Sequence, residues 1–416
     1  MRDQEPGPEG RRLSTREAAE LLGVKPETVY AYVSRGHLGS RRVPGGRGST
    51  FDAKEVETLA RRNRRESTAG SGSGADLSVR TSLTFIDSDR YYFRGVDATE
   101  LAARHSYEEV AEWLWTGRLR PGVTFTAPAA SVAAARRAAG ALPEHAGPVD
   151  RLRVAAVAAA AADPLRFDLS EQAVLATARA LIPTLVAALG PADPADRDEG
   201  PLARRLWGRL SGRPADEATL RVLDTALALL VDHDLAASTL AVRVAASARA
   251  HAYAAVSAGL GVLEGPLHGA ASGLAHRLLV EVLDRGDAGS VIAEELRAGR
   301  RIPGLGHRLY PGEDPRARLL FTLLADLPRC GPALAAAHDI VATAARHTSL
   351  HANVDLALAV FTASYAMPST AGETIFAVGR TAGWIAHALE EYGERPLRLR
   401  PTGQYTGPKP PQPLPG

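Results

Sequence analysis

One cysteine, Cys330, stands in 416 residues. A single thiol cannot staple a chain to itself, so no intrachain disulfide framework holds this fold, and the scarcity fits a reducing cytoplasm. No run of about 18 uninterrupted apolar residues occurs, which excludes a helical membrane span. The opening MRDQEPGPEGRR is polar and carries Pro and Gly, without the apolar core of a secretion signal. No Cys/His cluster forms a zinc site. His347 and His351 are four apart, but HTSLH lacks the glutamate of a zinc-protease helix, so the pair reads as structural. What remains is an ordinary globular composition, 45% apolar and 23% charged, long enough for two or three cores.

The net charge of +2 hides an asymmetry. Residues 1–65 carry 14 Lys/Arg against 9 Asp/Glu, or +5, and the rest carries 35 against 38, or −3. A basic head on a slightly acidic body points to different partners for the two parts. Residues 1–12 read as disordered. Ser14-Thr-Arg-Glu17 has capping-box spacing, and Ala18, Ala19, Leu21 and Leu22 supply an apolar face that Gly23 ends. A second helix starts near Pro26, and Gly36 stops it before the basic stretch Arg41–Arg47. Two short helices and a wing make residues 13–65 a winged helix-turn-helix domain. LSTREAAELLGVKPETVYAYVSRGHL resembles the MerR/excisionase type of such domains. That resemblance implies that Thr28, Tyr30 and Arg35, with Glu27 and Ala31 beside them, face DNA, and that Arg41, Arg42 and Arg47 meet phosphates. A helical module for protein contacts is the alternative, since Arg35 is the one strong donor on the recognition helix and Glu27 repels phosphate.

Residues 66–77 form a flexible Gly/Ser-rich linker; its ESTAGSGSGAD core spans roughly 18–20 Å as a random coil. Short β segments are expected around Leu83–Asp87 and Tyr91–Arg94. Ser106-Tyr-Glu-Glu109 is a second capping box, opening a helix with Tyr107, Val110, Ala111, Leu114 and Trp115 inward. Helices follow at Ala127–Leu142, Val149–Ala162, Leu169–Ala188, Leu220–Val231, Ala236–Ala258, Ser290–Ala298, Arg316–Leu327, Pro332–Arg346 and from Ala371 to about Tyr392. The body is mainly α, and residues 408–416 form a Pro-rich tail.

The chain is organised around Glu264–Leu274, EGPLHGAASGL, where His268 projects from a run of small residues. A histidine in such a run is often only packed in place. A second Gly-flanked histidine, His307 in PGLGHRLY, and the carboxylate Asp355 in NVDLALAVF supply the rest of what proton abstraction beside a carbonyl needs. GPLHGAAS, GLGHRLY with the later DPRA, and NVD resemble the citrate synthase segments GPLHGGAN, GFGHRVY with DPRA, and NVD. DHDLAASTLAVRVAAS, GRTAGWIAHALE, RPTGQYTG and Thr81–Trp115 resemble further segments of that family in the same order. The similarity spans residues 78–407.

The resemblance implies a large helical domain and a small one, roughly 266–362, inserted in it. It implies Claisen-type condensation of acetyl-CoA, or propionyl-CoA, with oxaloacetate, followed by thioester hydrolysis to citrate, or 2-methylcitrate. Acyl-CoA is then a substrate, with no cofactor and no metal. Asp355 would take the proton, His268 would hold the enol oxygen, and His307 would protonate the oxaloacetate carbonyl. Arg308, Arg380 and His233 would bind oxaloacetate, Arg400 would reach in from a second subunit of a homodimer, and Arg316 would contact CoA phosphate. Arg243 and Arg318 read as surface charges. Ala270, Ser272, Ala236, Thr402 and Pro311 depart from the family segments, where CoA and the acyl group would sit. A regulator that binds duplex DNA through its head, and senses CoA or oxaloacetate with its body, is the rival reading.

Overall fold

Ser14 and Ser106 each open a helix, as their spacing to a glutamate three residues on requires. In the computed structural model Ser14 N and Oγ donate to Glu17, and Glu17 N donates back to Ser14 Oγ. Ser106 and Glu109 make the same reciprocal pair. The structure describes residues 12–22, 28–29, 32–33, 38–42, 49–56, 59, 79–190, 200–265, 268–269, 271–401, 404–412 and 414, with nothing described of the side chains at 41 and 42. The chain divides into two units, Met1–Val79 with Gly403–Gly416, and Arg80–Thr402.

In the first unit β1 (Arg12–Ser14), α1 (Thr15–Leu22), β2 (Ser40–Arg42) and β3 (Ser49–Asp52) surround a small core. The antiparallel sheet has the order β1-β3-β2. Leu13, Ala18, Ala19, Leu22, Val29, Leu38, Phe51 and Val56 fill that core. Arg12, expected in a disordered leader, is in β1 because its guanidinium donates to the Thr50 side chain (3.0 Å) and carbonyl (2.8 Å) on β3. Helical residues at 53–56 and 59 were not expected. Tyr30, Arg35 and Arg47, together with residues 1–11 of the expected leader and the linker, lie outside the described residues. Thr28 is helical and half-buried.

The second unit is mainly α. A three-stranded sheet, β4 (Thr84–Asp87), β5 (Arg90–Phe93) and β6 (Val96–Asp97), leads into α2 (Ala98–Arg104) and α3 (Tyr107–Thr116). Next come α4 (Ala129–Gly140), α5 (Pro148–Ala162), α6 (Glu171–Ala188), α7 (Leu202–Leu210) and α8 (Glu217–Leu230). The helix expected over Ala236–Ala258 is two helices, α9 (Ala237–Ser247) and α10 (Ala252–Leu263). The break falls at Arg249, whose φ of 63° no α-helix accommodates, and His251 restarts the chain by accepting from Ala254 N at 3.1 Å.

α11 (Ala271–Arg285), α12 (Ala288–Arg297), α13 (Pro315–Ala325), α14 (Gly331–Ala344) and α15 (Val354–Ser364) pack mainly on one another, and α11, α13 and α15 also touch the main bundle. α16 (Ala371–Gly393) runs through that bundle against α8, α9, α10 and α6. Its tight passage explains the small residues of GRTAGWIAHA. No single described helix is long and apolar enough to cross a membrane.

Candidate active site

Two of the three segments singled out in the sequence, those of His307 and Asp355, meet through backbone hydrogen bonds. Asn353 caps α15, its side chain accepting from Asp355 N at 3.0 Å, and so places Asp355 in the first turn. The same Asn353 donates from Nδ2 to Gly306 O at 2.9 Å and from N to Gly304 O at 3.0 Å. Gly306 N donates to His351 O at 2.7 Å, and Leu305 bridges to Ala352. The loop that carries His307 is thus zipped to the segment that carries Asp355. Gly304 and Gly306 have φ of 82° and 79°, and a Cβ on Gly304 would stand 2.9 Å from the Leu356 Cβ. Glycine meets both conditions at once.

His268 turns on a short loop, its N donating to Gly265 O and Gly269 N to Leu263 O, each at 2.9 Å. Its Nε2 is 2.7 Å from Ser238 Oγ on α9. His307 Nδ1 accepts from Leu309 N at 3.1 Å, which leaves the proton of the neutral ring on Nε2. His233 Nε2 meets the Tyr310 hydroxyl at 2.7 Å, and the His233 and His307 rings are edge-to-face at 5.0 Å. All three imidazoles are held neutral. Burial and the Arg316 charge push His307 down to about 4. Burial, with Arg316, His307 and Arg380, takes His233 well below the usual range, and burial with Arg380 lowers His268. Asp355 moves the other way: burial raises its pKa, against the pull of Ser272 and Arg316.

Positive charge comes from two buried guanidinium groups. Arg316, 2% exposed, lies on Asp314, its Nε and Nη2 donating at 2.9 and 2.8 Å. Asp314 also caps α13 and accepts from Val354 N at 3.0 Å. Arg380, 1% exposed, donates from Nε to Leu230 O at 2.8 Å and stacks 4.6 Å over Phe376. Among the described residues no carboxylate is in ion-pair contact with it, and burial lowers its pKa to about 10. A buried cation with spare donors is a receptor for an anion.

The citrate synthase, C-terminal domain family matches residues 75–402 of the chain. The chain belongs to the citrate synthase family. A helix-turn-helix domain family matches residues 12–64. Citrate synthase of Haloferax volcanii is 32% identical over 358 residues, 80% of this chain and 94% of that protein. The solved citrate synthase from Pyrobaculum aerophilum has a TM-score of 0.68 and 27% identity, covering 82% of this chain and 93% of its own. A Thermoplasma acidophilum citrate synthase, solved in ternary complex with carboxymethyl coenzyme A and oxaloacetate, shares the fold at a TM-score of 0.68 and 24% identity, with 82% and 97% coverage. As a citrate synthase homologue the chain is an acyltransferase of the citrate-synthase type.

Within this citrate synthase body the His233 and His307 rings stand 5.0 Å apart, His268 and Arg380 both lie against Phe376, and Ser272 ties Asp355 to the helix that follows His268. Two expectations need correction. Arg308, expected on oxaloacetate, is exposed, because the turn after His307 aims it outward. Arg316, expected on CoA phosphate, is locked inside on Asp314 beside Tyr310 and His307, and belongs with Arg380. Arg400 is exposed in the single chain.

Arg243 is no surface charge. It is fully buried, donating to Glu390 at 2.7 Å, Glu391 at 3.2 Å and His387 Nδ1 at 2.9 Å. His387 therefore donates from Nε2 to Asp232 at 3.2 Å. Burial raises the Asp232 pKa, but His387, Arg380 and Thr84 outweigh it and keep the carboxyl below its usual range. Sequence reasoning missed Ser238, Asp232, Tyr310 and Asp314 as members of this site, although all four lie inside the motif segments, and it noted Ser272 only as a departure from the family segment. Among the described residues no group of three or more His, Cys, Asp or Glu could hold a metal ion.

Proposed function

We propose that the chain condenses acetyl-CoA, or propionyl-CoA, with oxaloacetate and hydrolyses the resulting thioester to citrate, or 2-methylcitrate, and CoA. The observation that supports this most is the pairing of a half-buried carboxylate, Asp355, whose pKa is raised, with three neutral imidazoles and two buried guanidinium groups. Oδ2 of Asp355 takes a proton from the carbon next to the thioester carbonyl. The C–H electron pair becomes the enol double bond, and negative charge moves to the carbonyl oxygen. With Ser238 donating to Nε2, His268 keeps its proton on Nδ1 and gives a hydrogen bond to that oxygen. The enol carbon attacks the oxaloacetate ketone, whose oxygen receives the His307 Nε2 proton. Arg380, Arg316 and His233 hold the oxaloacetate carboxylates. Water then cleaves the C–S bond. Each proton transfer contributes roughly 10²–10⁴-fold.

The same reading includes a homodimer. Val157, Leu165 and Phe167 are 61%, 75% and 67% exposed near α5, beside a groove of about 730 Å³ lined by α4, α5 and α10. A second copy covering this face would account for them, and Arg400 could then enter the neighbouring site. The deciding assay follows CoA release from acetyl-CoA and from propionyl-CoA, each with and without oxaloacetate. Release that requires oxaloacetate is expected, and the ratio of the two rates identifies the acyl group. A folded protein that releases CoA from neither overturns the proposal.

The helix-turn-helix match favours a second, compatible reading in which the head binds duplex DNA. Affinity for duplex would then fall steeply with salt, and absence of binding at low salt would remove this reading.

A further inference from the structure

Ser272 is 2% exposed and sits in the first turn of α11, four residues after His268. A serine in a helix commonly bonds back to the carbonyl four residues earlier. This one instead donates a very short hydrogen bond from Oγ to Oδ1 of Asp355. Gly372, in the first turn of α16, closes over it: a Cβ there would stand 2.8 Å from Ser272 Cβ and 3.4 Å from its Oγ. Ser272 is thus wedged between the helix that carries Asp355 and the helix that carries Arg380. Where the family segment quoted above has Asn, this chain has the shorter hydroxyl donor.

We infer that Ser272 is a positioning residue for proton abstraction, fixing Oδ1 of Asp355 so that Oδ2 is the oxygen presented to the acyl carbon. This rests on the reading of Asp355 as the base. The bond does two things. It stops rotation of the carboxylate about its last torsion, and it favours the ionised form, since a hydroxyl donates better to a carboxylate than to a carboxylic acid. Three other influences act on Asp355: burial and the Asp314 charge oppose ionisation, and Arg316 assists it. With burial dominant, the serine offsets part of a bias toward the protonated form. Ser272 itself exchanges no proton with substrate: the abstracted proton ends on Oδ2 and the electron pair in the enol.

The test is the pH profile of kcat and kcat/KM from about pH 4 to about pH 9, followed by loss of thioester absorbance with oxaloacetate present. Ser272→Ala removes the donor, so the Asp355 pKa rises and the acid limb moves to higher pH. The expected shift is about one to two pH units, the size of a lost hydrogen bond to a charged acceptor. Ser272→Cys is nearly isosteric and keeps a weak donor. Its limb should fall between wild type and Ser272→Ala, and it keeps the inference testable if the alanine variant fails to fold. Unmoved limbs in the folded variants overturn the role of Ser272. Asp355→Ala separates the two ideas. If it retains oxaloacetate-dependent turnover, the reading of the base is wrong. If it is inactive and the serine variants titrate as wild type does, only the inference about Ser272 falls.

Discussion

Arg380 is a full charge with almost no exposure and no carboxylate in contact among the described residues. Such a group is costly unless an anion joins it, so its truncation should register in substrate affinity. Arg380→Met is expected to weaken oxaloacetate by about 2–4 kcal/mol, a factor of roughly 30–1,000 in KM. Arg308→Ala, at an exposed position, should change KM by less than about threefold. Initial rates against oxaloacetate concentration check both, and the reverse ranking would restore the sequence-based assignment. The proposed acid–base residues stand out in the sequence because each lies in a segment whose glycines and asparagine carry geometric meaning. The arginines were not. Arg308 follows His307 directly and Arg316 comes nine positions later, yet the loop turns the first outward and brings the second back. Adjacency in sequence misassigned what a turn decides. Arg243 failed similarly, because nothing local reveals that Glu390, Glu391 and His387 will surround it.

At the scale of elements, the two capped starts make a clean comparison. Ser106 caps α3 alone, whereas Asn353 caps α15 and also holds the His307 loop through Gly306 O. Ser106→Ala should cost about 1 kcal/mol of stability with kcat unchanged. Asn353→Ala should cost about 2 kcal/mol, from the cap and the cross-link together, and lower kcat as well. Denaturant midpoints alongside turnover distinguish them, and an Asn353→Ala enzyme with normal kcat would contradict the positioning role. Most long helices were legible from Ala/Leu periodicity and capping residues. Three escaped. α7 carries arginines at 204, 205 and 209 that interrupt an apolar pattern, although Arg205 and Arg209 are buried. α11 and α15 lie inside the motif segments, where attention to glycine and histidine obscured an ordinary helical pattern.

For the whole molecule, the dimer proposal has a sharp consequence. Arg400→Ala and Asp355→Ala are each expected to be inactive alone. If Arg400 serves the neighbouring subunit, mixing them after dissociation regenerates one intact site in each hybrid. Random pairing then restores about a quarter of wild-type activity. No recovery in hybrids verified by native mass would place Arg400 in its own subunit's site. The zipper between the His307 loop and the Asp355 segment has a different consequence, one of timing. A proton acceptor and a proton donor on independently fluctuating segments would meet only in the fraction of time that both were aligned. Three hydrogen bonds between residues 304–306 and 351–353 tie those two fluctuations together. If His307 and Asp355 act as proposed, thermal motion would carry acid and base together toward or away from Arg380 and His233, with those bonds limiting any change in the interval between them.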